Sequence, residues 1–121
     1  QESKYRGQAA ITKNNNTITI NESVQVFTVE TGTVDETFAF NTDSGYIYAS
    51  SSSSNDLKTK TTKDANGSWK ITIAVDGTAS IRAQGENKRN LILHNPSSTR
   101  FSCYTSLSDQ TKEVVIYRLA E

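Results

Sequence analysis

Between Ser68 and Gln84 the chain alternates almost without interruption. Trp69, Ile71, Ile73 and Val75 interleave with Ser68, Lys70, Thr72 and Ala74; beyond Asp76–Gly77, the residues Ala79, Ile81 and Ala83 interleave with Ser80, Arg82 and Gln84. A period of two belongs to a strand with one buried and one wet face, and Asp–Gly between two such runs marks a hairpin turn. Register follows from the faces, because residues directly opposite in a hairpin project to the same side. A two-residue Asp76–Gly77 loop would set Ile71 against Arg82, a charge opposite the core. A three-residue loop, Val75–Asp76–Gly77, sets Ile73 against Ala79, Ile71 against Ile81 and Trp69 against Ala83. This second register is predicted, with positive φ at Gly77 and a buried face carrying Trp69, Ile71, Ile73 and Val75.

The rest of the chain reads in the same way. Strands are predicted at 7–13, 17–20, 23–30, 33–40, 46–50, 57–60, 90–94 and 100–105. The apolar phase switches at Val26–Phe27, which predicts a β-bulge there or burial on both faces. Lys112 to Leu119 is apolar on both faces and is read as a central strand. Asn14–Asn15–Asn16, Asn41 to Gly45 and Asp64 to Gly67 are turn clusters, and Ser50 to Ser54 reads as a mobile polar loop. About eleven short strands and no helical period make the chain all-β.

A handful of matches at one spacing suggests how the strands are arranged. Val24–x–Val26, Trp69–x–Ile71 and Val114–x–Ile116 recur every 45 residues, Gly32 and Gly77 share the offset, and Tyr46–Ile47–Tyr48 and Leu91–Ile92–Leu93 share it too. A closed barrel with pseudo-threefold, β-trefoil-like organisation is therefore favoured, with a two-sheet sandwich as the alternative. The Gln–x–Trp signature of ricin-type trefoil lectins is absent.

At 121 residues the chain is read as a single domain, 1–121, large enough to bury a core without staples. Its hydrophobic content of 34% suits sheets with a solvated face, and Ser, Thr and Asn make up about a third of the residues. Thirteen basic and thirteen acidic residues cancel, so no bulk charge attracts nucleic acid or anionic membrane, and no apolar run reaches the ~20 residues of a membrane-spanning helix. A single cysteine allows no intrachain disulfide. The chain opens at Gln1 without a methionine and is read as a trimmed module of a longer exported protein, acting as a monomer or within a multidomain chain.

Few residues carry chemistry. Cys103 alternates with Phe101 and Thr105 and reads as a buried apolar thiol rather than a nucleophile. His94, the only histidine, has no supporting motif and reads as a strand-end hydrogen-bonding group. Asp64–x–Asn66–Gly67 and Asn41–x–Asp43–x–Gly45 resemble the opening of calcium loops but lack the bidentate Glu, so no metal or cofactor is expected. Lys58 and Lys60 share a strand face. They could form, with Arg82, Lys88, Arg89, Arg100 and Tyr104, a patch for an acidic glycan or nucleic acid, but a solvated charged face is favoured. Tyr46 and Tyr48 also share a face. Burial in the core is the favoured reading; exposed, the pair would stack on sugar rings or bases.

From Phe38 to Leu119 the chain resembles an uncharacterised β module of secreted and surface lipoproteins of gut Bacteroidetes. The resemblance is carried by Ala49–Ser50, Ser54–Asn55–Asp56–Leu57–Lys58–Thr59, Ser68–Trp69, Ala83–Gln84–Gly85, Arg89–Asn90–Leu91, Asn95, Arg100–Phe101–Ser102–Cys103–Tyr104 and Ile116–Tyr117–Arg118. His94 departs from the aromatic residue such sequences have before the Asn. The resemblance implies an extracellular, periplasmic or cell-surface location and a non-enzymatic accessory or binding role, with no catalytic residue to carry over. The expected ligand is a glycan or a protein, held by Asn55, Asn87, Arg89, Asn90 and Asn95 with Tyr46 and Tyr48. The alternatives are a small hydrolase or nuclease using His94 with a carboxylate, and a nucleic-acid-binding accessory, which the neutral charge disfavours.

Overall fold

A computed structural model of the chain describes residues 5–8, 12–14, 17–19 and 25–117, with 12–14 and 17–19 described as backbone only. The expectations for Ala9, Ile11, Val24 and Leu119, and for the side chains of Ile18 and Ile20, lie outside the described residues. Eleven strands are described: β1 Arg6–Gly7, β2 Thr12–Asn14, β3 Thr17–Thr19, β4 Thr28–Thr31, β5 Phe38–Thr42, β6 Gly45–Tyr48, β7 Lys58–Lys60, β8 Trp69–Ile73, β9 Ala79–Ala83, β10 Leu91–Asn95 and β11 Arg100–Tyr104. Among the described residues there is no α-helix, only a 3-10 turn at Ala65–Gly67. The chain is all-β, as its alternation dictates.

β2 and β3 form a separate hairpin. The other strands follow the path β1-β11-β10-β9-β8-β5-β6-β7, with β4 on the free side of β5. Every pairing among them is antiparallel, and the sheet curls into a nearly closed, barrel-like structure rather than the fully closed barrel expected. Phe40, Ile47, Leu57, Trp69, Ile81, Ile92 and Cys103 meet in one core. Phe27, Ile71, Phe101 and Val114 pack against it.

The central hairpin has the register its faces require: Trp69 opposite Ala83, Ile71 opposite Ile81, Ile73 opposite Ala79. Gly77 N–H donates to the Ala74 carbonyl at 2.9 Å, Ala74 N–H to the Thr78 carbonyl at 2.8 Å, and Gly77 has φ 91°. No carbon of a side chain would fit that conformation without strain. Burial departs from expectation at the far end of β8. Ile73 is 57% exposed and Val75 fully exposed, because β5 meets β8 only at Phe38–Trp69 and nothing described lies across the hairpin tip. Ala79, opposite Ile73, stays buried beside Val114, so at this end the cover reaches β9 and leaves β8 open.

Strand β5 makes the corner of the sheet. β4 pairs along its whole length from Phe38 to Asn41, whereas its other edge is shared, β6 taking Asn41 and Thr42 and β8 taking Phe38. Where β6 and β8 separate, the Trp69 indole fills the gap and donates to the Ile47 carbonyl at 3.3 Å. β5 starts at Phe38 rather than Thr33. Residues 33–37 form a turn, with Glu36 at φ 61° and Gly32 N–H bonded to the Thr37 carbonyl. The phase switch at Val26–Phe27 is no bulge either. β4 starts only at Thr28, and ahead of it Phe27 turns inward onto Phe40, ring centroids 5.8 Å apart.

The stretch read as a closing central strand is a strap. β9 and β10 pair at Arg82–Leu91, Ala83 N–H bonds the Asn90 carbonyl, and the two strands then diverge. Residues 112–114 cross the opening: Lys112 exchanges both backbone bonds with His94 (2.8 and 3.0 Å), and Val114 accepts from Ala79 N–H at 2.7 Å. Val115 and Ile116 beyond it are each nearly half exposed. An apolar run signals a central strand only if both its edges find partners. Here one edge meets two different strands for a residue each.

Candidate functional site

Alternation decides which side chains of β4 to β7 face outward. Ile47 is buried, so Tyr46 and Tyr48 stand on the opposite, outer surface, half-buried and out of the core. Cross-strand pairing sets Asn41 beside Tyr46, Tyr46 beside Lys60, and Tyr48 beside Lys58, and places Glu30 beside Ala39 on the same surface. The result is a strip in which two aromatic rings lie among lysines and a carboxylate.

Glu30 organises that strip. Its carboxylate accepts from Asn41 Nδ2 at 2.8 Å and from the Tyr46 hydroxyl at 3.0 Å, and pairs with Lys63 Nζ at 3.0 Å. Tyr46 must lie across β5 to reach it, which turns a ring face outward. Lys63 Nζ stands 5.6 Å from the Tyr46 centroid and also donates to the Thr31 carbonyl, while Lys60 Nζ stands 4.2 Å from the Tyr48 centroid and pairs with Asp64. Cations over ring faces are attracted by the aromatic quadrupole, by about 0.5–1 kcal/mol at exposed sites. Lys63, Asn41 and Tyr46 together hold the Glu30 carboxyl below its usual range, and the bond to Glu30 raises the Tyr46 phenol. Asp64 also caps the 3-10 turn, accepting from Gly67 N–H at 3.2 Å. The calcium-like spacing is therefore turn chemistry, and among the described residues no three His, Cys, Asp or Glu side chains are grouped to hold a metal.

At one end the strip runs into two loops that clasp each other. Arg89 NH1 donates to Asn55 Oδ1 at 2.7 Å, Asn87 Nδ2 to the Ala49 carbonyl at 2.8 Å, Lys88 N–H to Ser52 Oγ at 3.0 Å, and Arg89 N–H to the Ser51 carbonyl. Ser51 Oγ caps the serine run by accepting from Ser53 and Ser54 N–H. The run read as a mobile loop is thus pinned. Asn66 Oδ1 accepts from Asn87 N–H, and Gly85 passes so close that a Cβ there would lie 2.7 Å from Asn66 N. Asn90 accepts from Arg82 at 2.6 Å.

Asn55, Asn87, Arg89 and Asn90 therefore gather at the clasp, and their side chains are engaged within the chain except at Arg89 Nε, which is buried without a described partner. Asn95 sits at the other end of β10, where it caps the following turn through Ser98 N–H and donates to the Tyr104 hydroxyl at 3.3 Å. The structure does not bring it to the others. Arg100 stacks on Tyr5, centroid at 4.3 Å, apart from Lys58 and Lys60. Glu30 and Lys63, which complete the strip with Asn41, carry no motif, and Asn41 stands out only as part of a turn cluster. Only the pairings of β4 with β5 and of β5 with β6 reveal Glu30 and Asn41.

The two reactive residue types are tied down. His94 Nε2 lies 2.6 Å from Gln8 Oε1, its ring packs on Phe101 at 4.9 Å, and its backbone is bonded to Lys112 of the strap. Its described hydrogen-bond partners include no carboxylate. Cys103 is fully buried, and burial, with a smaller push from the Asp56 charge, moves its thiol far above the ordinary range. No helix among the described residues is long and apolar enough to cross a membrane. Compared with family models, with curated proteins and with solved structures, the chain found no match in any of the three.

Proposed function

We propose that this chain is a non-enzymatic accessory module acting outside the cytoplasm, and that it binds a glycan on the outer face of β4–β7. The observation that carries the reading is the position of Tyr46 and Tyr48. Both are turned away from the core, side by side, with Lys60 and Lys63 over their rings and Glu30 and Asn41 alongside. Flat aromatic faces take up the apolar faces of sugars, while amide, carboxylate and ammonium groups meet hydroxyls, and such a surface needs no reactive group. The resemblance to secreted Bacteroidetes modules supports the location. A protein ligand is the second reading, favoured by Val29 and Phe38, which are 56% and 44% exposed on neighbouring strands, on the face opposite the strip.

The same reading keeps the pseudo-threefold origin of the barrel as a proposal. Trp69 and Val114 converge on one core, which supports it, while Gly32 lacks the positive φ of Gly77, which weighs against equivalent units.

A glycan array followed by calorimetry tests the function, comparing wild type with Tyr48→Ala. Tyr48 is the cleaner probe, since the Tyr46 hydroxyl also ties down Glu30. A tenfold or greater loss of affinity with an unchanged melting temperature is expected, about 1.4 kcal/mol. Binding that ignores Tyr48→Ala would move the site elsewhere. Hydrolysis of any array ligand by wild type, lost in His94→Ala, would instead favour an enzyme.

A further inference from the structure

Among the paired edges of the main sheet, the opening between β9 and β10 is closed in a different way. Five-residue ladders join β8 to β9 and β10 to β11, but between β9 and β10 the ladder stops after Arg82–Leu91, and residues 112–114 span the rest. The strap's attachment is small. It consists of two backbone bonds to His94, one to Ala79, and the Val114 side chain against the core. A connector of residues 105–111 joins it to β11; residues 105–110 are exposed, Arg82 donates to the Thr105 carbonyl at its start, and Ser108 and Thr111 bond each other in a turn at its end. Fully extended, those seven residues reach roughly 24 Å.

We propose that the strap is exchangeable, so that the chain has a closed single-chain state and a dimer in which each copy's residues 112–114 close the β9–β10 opening of the other. The occupant is a second copy because the opening is already shaped to this chain's own Lys112 and Val114; every bond the strap makes within one chain is re-formed in the exchange. Swapping an identical element is accordingly a low-cost route to a dimer. What it adds is burial. Ile73 lies opposite Ala79, the residue that bonds the strap, and Ile73, Val75, Val115 and Ile116 all leave apolar surface exposed around that edge. Two copies joined by their straps would bring these edges together and remove that surface from water. The dimer would also carry two Tyr46–Tyr48 strips, so a repetitive ligand would be held with avidity.

The test places cysteines at Ala79 and Val114, which are paired across the opening, and leaves the buried Cys103 in place. Protein held at low micromolar and at millimolar concentration is oxidised with oxidised glutathione and run on non-reducing gels beside light-scattering measurements. A monomer carrying an intrachain link when dilute and a covalent dimer when concentrated are expected. A second variant deletes Leu107–Asp109, shortening the connector so that the strap no longer folds back easily. It is expected to dimerise at a concentration at least tenfold lower than wild type. Two results would overturn the proposal: a monomer in both variants at every concentration, or dimers whose cysteine links all stay within one chain, which would mean side-by-side docking without exchange.

Discussion

Trp69 has 0% exposed surface and spends its one hydrogen-bond donor on the Ile47 carbonyl at the point where β6 and β8 leave β5. Replacing it by alanine removes both the bulk that fills the corner and the bond that ties it. A loss of about 3–5 kcal/mol is expected from urea denaturation followed by circular dichroism. Trp69→Phe should fall well short of that loss, since most of the bulk remains. Glu30 makes a second prediction at this scale. Its carboxyl titrates below the ordinary carboxylate range in the folded chain, because Lys63, Asn41 and Tyr46 favour the charged form. A depressed folded-state pKa stabilises the fold above the unfolded value of about 4.3, and that stability is lost as pH falls through the folded value. The melting temperature of wild type should therefore exceed that of Glu30→Gln by a constant margin above pH 5. The margin should shrink as pH falls below 4, and should be smaller at high salt because the pair is solvent-accessible. A pH-independent difference would mean that Glu30 acts by packing rather than charge.

At the scale of single elements, two glycines test two different demands. Gly77 has open space around it and needs only its positive φ, so Gly77→Ala should cost about 1 kcal/mol and Gly77→Asn less, since Asn tolerates that region better. Gly85 needs room, because a Cβ there would press on Asn66 backbone and side chain. Gly85→Ala should cost more than Gly77→Ala, about 2–4 kcal/mol, and should loosen the clasp, read as faster amide exchange at Lys88 and Arg89. If the two variants are equally stable, the close approach of Gly85 is not a constraint. The hairpin around Gly77 was legible in the sequence down to its register, because the turn and the faces of both strands are set within sixteen residues. Outcomes that depend on other strands were not legible. Ile73 has the pattern of a core residue and is exposed, Lys112 to Ile116 has the pattern of a central strand and is a strap, and Ser50 to Ser54 has the composition of a flexible loop and is pinned by Lys88 and Arg89.

For the whole molecule, alternation and turn chemistry were enough to identify an all-β chain of about eleven strands, and the order of those strands was not. Cross-strand partners of β5 lie at three different sequence distances; the Asn41–Gly45 turn announces β6, but nothing local distinguishes β4 and β8 as its other neighbours. The candidate strip was half visible for the same reason. Tyr46, Tyr48, Lys58 and Lys60 declare a shared face by their spacing, whereas Glu30 and Asn41 reach it through two intervening pairings. The asparagines have the composition of loop-borne ligand contacts, yet Asn87 and Asn90 ahead of β10 and Asn95 at its end each satisfy a neighbouring group of the chain.

The pairing of β1 with β11 sets Arg6 opposite Phe101, and so joins parts of the chain that emerge from synthesis far apart. Bringing such distant segments together costs more loop-closure entropy than forming any of the hairpins, so this pairing cannot nucleate folding. Refolding should be a millisecond-to-second process in which the hairpin at Gly77 forms early and the edge strand at Arg6 docks last. During translation β1 is made first, yet it has no partner until β11 has been made, so it stays unpaired through the synthesis of the nine strands between them.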